Sequence, residues 1–286
     1  MRTSRRYREP FQFTWRIPEC GFRFEVCTDN ERKIRCLVHA ADVSRHKMYR
    51  PLESHTALFQ QFANLELDEK AVIKFANEFG WLGGAVAGWF VDDRNRRICA
   101  EPLESWLREI ADMHRLLGFW EQLRNEDEDA AASYLRKRLK FSPEAVTIQF
   151  GDSRDTVAFR HDHDFAGLQP DDPLQVGWTY LGRNLNDKLQ RYPLNTRMMH
   201  DRGKDRELTL FIRPSSLVAA LWFQLARAVE GNRHYRRCAL PGCKVLFEVG
   251  GRDAKRADSK FCTPSHRAAN AKPAKAKSSR RRKRHA

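Results

Sequence analysis

Apolar and polar positions alternate in three early segments of the chain. Phe11, Phe13 and Trp15 share one face of residues 11–16, and residues 22–26 and 34–38 alternate in the same way. Successive strand side chains point to opposite faces, so the pattern predicts a small antiparallel sheet with one buried face. Cys36 falls on the face of Ile34 and Val38, which places it in the core. The period then becomes helical. Residues 52–65 and 68–79 carry apolar side chains at helical spacing, the second with Val72, Phe75, Ala76 and Phe79 on one face and Gly80 as its stop. The glycine-rich, apolar residues 81–90 lack the GK[ST] ending of a phosphate loop and read as a buried connection.

A stronger amphipathic helix is predicted from Pro102, with Leu103, Trp106, Leu107, Ile110, Met113 and Leu117 as its stripe. Residues 126–140 form another helical stretch, and the cations at 136–140 suit its C-terminus. Residues 145–150 and 156–160 flank a polar turn, a hairpin signal. Residues 172–192 read as helical in their second half, and residues 207–212 as a strand. Ser215 and Ser216 offer an N-cap to residues 217–229, which are apolar almost all round and predict a central core helix. The fold class expected is α+β, a mixed helical body with small antiparallel sheets.

Charge changes the picture beyond that body. The net charge is +15, yet the residues from 231 onward hold seventeen Lys or Arg against three acids, Glu248, Asp253 and Asp258. Nearly all the excess therefore lies at one end, the footprint of a module that binds a polyanion. No run of about eighteen apolar residues is present, so no membrane span is predicted. Tyr7-Arg8-Glu9-Pro10 stands where a signal peptide would be apolar. Seven Cys is an odd count, and Cys20, Cys27, Cys36 and Cys99 show no disulfide spacing, which predicts a reducing, cytoplasmic setting.

The remaining thiols carry the sharpest motif. Cys238 and Cys243 enclose Pro241-Gly242, and eighteen residues later Cys262 and His266 enclose Pro264. Three sulfurs and one nitrogen in two short, bent pairs form a tetrahedral ligand set for one Zn2+ ion, structural because no position stays open. His234 is the alternative fourth ligand. Residues 245–247 can start a strand turned by Gly250-Gly251, and residues 265–272 a helix, so a treble-clef-like zinc ribbon is expected. Residues Arg237–Cys238 to Cys243, Phe247, Arg256, and Phe261–Cys262 to Arg267 resemble the CGNR-type zinc ribbon of bacterial ABATE-like proteins, regarded as transcription regulators. His266-Arg267 stands where that motif has Cys-Gly-Asn-Arg. The resemblance implies zinc and nucleic-acid binding.

These readings divide the chain into a body (1–232), a ribbon (233–273) and a basic tail (274–286) that cannot bury enough apolar surface to order alone. The expected function is DNA-binding regulation. Arg236, Arg237, Lys244, Arg256, Lys260, Arg267, Lys272, Arg280, Arg281, Arg282, Lys283 and Arg284 would contact phosphate, with DNA favoured over RNA. Homo-oligomerisation and the body's effector stay open. Two weaker constellations stand beside this reading. Cys20, Cys27, Cys36 and His39 offer a second metal set at irregular spacing. His161, His163 and Asp164 offer ligands for a nuclease- or toxin-like enzyme.

Overall fold

The computed structural model describes residues 13–124, 127–142, 144–150, 153–158, 172–200, 208–231, 233–243, 246–250 and 255–271. The chain divides into two compact units, Met1–Val229 and Glu230–Ala286. It is a mixed α+β protein with small antiparallel sheets. Among the described residues, no helix is long and apolar enough to cross a membrane.

The first unit begins with β1 (Trp15–Pro18), β2 (Phe22–Asp29), β3 (Arg32–His39) and β4 (His46–Tyr49). Asn30 and Glu31 turn β2 into β3 with φ of 44° and 69°, the pair of positive angles that matches strand twist in a two-residue hairpin. The predicted three-stranded sheet does not form. β1 pairs instead with β4, while β2 and β3 join β5 (Gly88–Val91) and β6 (Arg97–Pro102) in the order β2-β3-β6-β5. Thr28 opposite Val91 closes this sheet into a barrel. Cys27, Cys36, Val38, Phe90 and Ala100 fill it, so Cys36 is core as its face predicts.

Short helices α1 (Pro51–Ser54) and α2 (Leu58–Ala63) precede α3 (Glu69–Phe79) and a 3-10 turn at Gly84–Val86. Asp68 accepts from the Ala71 N–H at the start of α3, and Gly80, at φ 89°, ends it. Then come α4 (Leu103–Leu123), α5 (Glu128–Arg136) and a meander of β7 (Leu139–Phe141), β8 (Ala145–Phe150) and β9 (Ser153–Ala158). The stripe of α4 is buried at Trp106, Ile110, Met113 and Leu117. The helix predicted to reach residue 140 stops earlier, and Leu139 and Lys140 pair with β8. The unit closes with α6 (Pro173–Arg191), the paired β10 (Leu194–His200) and β11 (Leu208–Pro214), and α7 (Leu217–Glu230).

Helix α7 is the predicted core helix, with Leu217 through Leu225 all buried. Its one polar residue in that run bonds to a place where the fold departs from expectation. Gln224 accepts from the Phe59 N–H and donates to the carbonyls of Pro51 and His55. These groups flank the break where the single predicted helix 52–65 divides into α1 and α2, and the two carbonyls also accept from the N–H groups of His55 and Leu58. One buried amide thus makes three hydrogen bonds to backbone groups around the break.

Among the described residues, three carboxylates are buried in this unit, and Asp92 is held within its own turn by the N–H groups of Arg94 and Arg96 and by the Arg96 guanidinium. Glu101 accepts from the Leu82 N–H at 3.0 Å, the Gly83 N–H and the Trp106 indole at 2.8 Å. Burial pushes its carboxyl up to about 7, against the opposing pull of those donors. Glu109, on the apolar arc of α4 between Trp106 and Met113, accepts from Lys188, Tyr192 and Trp222.

Candidate metal centre

The second unit is built on a two-stranded ladder, β12 (His234–Arg237) and β13 (Leu246–Val249), in which Arg236 faces Phe247 and Arg237 faces Leu246. The strand predicted at 245–247 therefore exists, and its antiparallel partner is β12, which precedes Cys238; beyond the predicted turn, Lys255 bonds back to Glu248 and Gly250. The two strands set the ends of the segment carrying Cys238 and Cys243. Within it the Cys243 N–H donates to the Leu240 carbonyl at 3.0 Å, and Gly242 adopts φ 82°, closed to most side chains. The Ala239 N–H donates to the Lys260 carbonyl at 2.8 Å and so ties this segment to the approach of Cys262.

Helix α8 (Pro264–Ala271) follows Cys262 at once. Thr263 caps it: its Oγ1 accepts from the His266 N–H and its carbonyl from the Arg267 N–H. The cap fixes the first turn, and the four-residue step brings His266 back over Cys262. His266 Nδ1 lies 3.1 Å from Cys262 Sγ and 3.6 Å from Cys238 Sγ, and Cys243 Sγ lies 3.8 Å from Cys262 Sγ. All four donor atoms sit within 4.8 Å of one another. For metal–sulfur bonds of about 2.3 Å and metal–nitrogen bonds of about 2.0 Å, a tetrahedron has S–S edges of about 3.8 Å and S–N edges of about 3.5 Å. The donor set and its spacing thus fit one ion.

The surroundings drive Cys238 and Cys262 in opposite directions. Burial alone would raise Cys238, but N–H groups of Cys262 and Leu240, with His266, outweigh it and bring the thiol down to about 6. Cys262 is pushed up to about 12 by burial and by the neighbouring sulfurs of Cys238 and Cys243. Around the cluster the core is small: Cys238, Phe247 and Val249 are buried, with Leu240, Cys243, Phe261 and Cys262 packed against them.

No protein-family model, curated protein or solved structure matches the chain. The site stands on its own geometry. Among the described residues, the Cys238 cluster is the one group of three or more His, Cys, Asp or Glu within ligand reach. It takes His266 as its nitrogen; His234 lies exposed on β12, opposite Val249. Cys20, Cys27, Cys36 and His39 are not brought together: Cys27 and Cys36 line the barrel, whereas the His39 ring lies against Trp81 at 4.6 Å. Residues 161, 163 and 164 lie outside the described residues.

Of the cations expected to meet phosphate, Arg236, Arg256, Lys260 and Arg267 are exposed. The Arg236 guanidinium also donates to the Ser259 carbonyl at 3.3 Å, and Arg256 stands 3.6 Å from Asp258. Arg237 lies in β12. Lys244, Lys272 and residues 280–284 lie outside the described residues. Sequence reasoning missed Thr263, whose place between Cys262 and Pro264 is the cap signal that would have found it.

Proposed function

We propose that the chain is a zinc-containing nucleic-acid-binding protein, a DNA-binding regulator of the kind that the CGNR-type resemblance implies. The observation that carries this reading is a closed cluster of three sulfurs and one nitrogen, set in a stretch that has no acid after Asp258. Three thiolates and one imidazole suit Zn2+, which is borderline-soft and accepts tetrahedral geometry without electronic preference. Four protein ligands leave no position for water or substrate, so the ion's work is structural. In a unit with so small a core, metal binding supplies folding free energy.

The three thiolates leave the loaded site with about one negative charge. Arg236, Lys260 and Arg267, with the tail cations, reverse that sign at the surface. Phosphate is the complementary partner, because each neutralised phosphate releases a condensed counterion. On this reading the ribbon, treble-clef-like, holds the cationic surface rigid, and residues 280–284 add reach.

The test pairs a zinc assay on purified protein with a gel-shift salt titration on mixed-sequence duplex. One zinc per chain and a steep loss of retardation between roughly 50 and 200 mM salt support the reading. Binding that survives high salt points to a protein partner, and RNA that competes better than duplex DNA points to an RNA-binding protein.

A further inference from the structure

Helix α8 buries none of its eight residues. A helix on a globular unit ordinarily turns an apolar face inward, whereas this one is fixed chiefly at its first turn by Cys262, Thr263 and His266. Arg267 and Asn270 are both exposed, and among the described residues neither side chain has a hydrogen-bond or ion-pair partner. They stand three residues apart and so lie side by side on the helix surface.

We propose that Arg267 and Asn270 form a base-reading pair, presented by α8 to the major groove of B-form DNA. The proposal rests on the nucleic-acid reading above and adds which residues read sequence. Three residues advance a helix by about 4.5 Å, close to the ~3.4 Å step between base pairs, so the two side chains reach neighbouring pairs. The planar fork of Arg267 matches the O6 and N7 acceptors of guanine. The amide of Asn270 donates to N7 and accepts from N6 of adenine.

The rest of the helix suits a groove. Ser265, Ala268, Ala269 and Ala271 are small, and the chain carries no acid after Asp258 to repel phosphate. A helix is about 10–12 Å across with its side chains, and the B-form major groove is about 12 Å wide. Duplex RNA presents a deep, narrow major groove that side chains do not read, so the proposal commits to DNA.

The experiment uses the full-length, zinc-loaded protein to enrich bound duplexes from a randomised pool. The same enrichment is then run with Asn270→Ala and Arg267→Lys, each checked for wild-type zinc content. The wild type is expected to enrich a site containing a guanine beside an adenine. Asn270→Ala should lower the preference at the adenine roughly tenfold, and Arg267→Lys, which keeps the charge but loses the fork, should do so at the guanine. Salt-dependent binding that enriches no sequence, or variants that enrich the wild-type site unaltered, overturn the pair while leaving the nucleic-acid reading intact. Duplex RNA competing equally does the same. No salt-dependent binding by the wild type overturns both.

Discussion

Lys188 reaches from α6 to place its ammonium 2.9 Å from each carboxylate oxygen of Glu109 on α4. The Glu109 side chain is 2% exposed and that of Lys188 12%. Tyr192 and the Trp222 indole complete the carboxylate's hydrogen bonding, at 2.7 and 2.8 Å. Asp112 holds the same ammonium at 2.7 Å. Removing one partner of a buried pair strands the other charge, at a cost of about 3–5 kcal/mol. Lys188→Ala should therefore lower the unfolding free energy of the first unit by that amount in urea titrations. The double variant Lys188→Met/Glu109→Gln should recover part of it. A loss under about 1 kcal/mol for the single variant would show that the pair is hydrated and weak.

Glu101 gives stability a pH dependence of definite sign. Its folded carboxyl is raised from 4.5 to about 7, chiefly by burial. The folded state thus holds a proton that the unfolded chain releases earlier. The associated stability is complete below pH 4.5 and is lost as pH rises through 7. Glu101→Gln removes this titration. The difference in unfolding free energy, wild type minus variant, should shrink by about 3 kcal/mol between roughly pH 4.5 and 7.5, at about 1.36 kcal/mol per unit. A difference that stays flat across that range, or grows with pH, would show that the three N–H donors keep the carboxylate ionised.

The two candidate histidines separate by geometry. His266→Ala should weaken zinc binding strongly and loosen α8, because it removes the nitrogen beside Cys262 and Cys238. His234→Ala changes an exposed strand position and should leave zinc affinity as it is. Competition with a zinc-binding dye measures both. Equal effects of the two substitutions would mean that the ligand sphere differs from the one described.

The tail's role is electrostatic. Deleting residues 274–286 removes Lys275, Lys277 and the cations of 280–284 without touching a cluster residue. The slope of log affinity against log salt should flatten, each lost phosphate contact lowering it by about 0.9. Zinc content should not change. A slope identical to the full-length protein's would show that the tail stays off the phosphates.

What was legible in the sequence was what is local. The cluster could be read because each ligand pair lies within a few residues, with Pro241-Gly242 and Pro264 to bend it. Asp68 and Gly80 marked the ends of α3 for the same reason. The break between α1 and α2 was not legible, and the side chain that bonds to it, Gln224, lies 165 residues from Phe59. Strand β5 was read as a buried connection, yet Trp89 is 62% exposed while Phe90 fills the barrel. Strand β12, His-Tyr-Arg-Arg, shows no apolar alternation, because pairing with β13 and the nearby cluster define it. Glu109 does leave a trace: it is a lone acid at a buried position of a clear apolar stripe, and such an acid needs a partner from elsewhere.

The most direct measurement is cobalt(II) titration of the metal-free full-length protein, followed by optical absorption and by counting of reactive thiols. One equivalent should produce the thiolate charge-transfer band and intense d–d bands of a tetrahedral site with three sulfur ligands and one nitrogen. It should also protect three cysteines from alkylation and be displaced by one equivalent of zinc. Cys238→Ser should abolish that spectrum. Octahedral-type weak bands, or no protection of Cys238, Cys243 and Cys262, would contradict a single ion held by these four side chains.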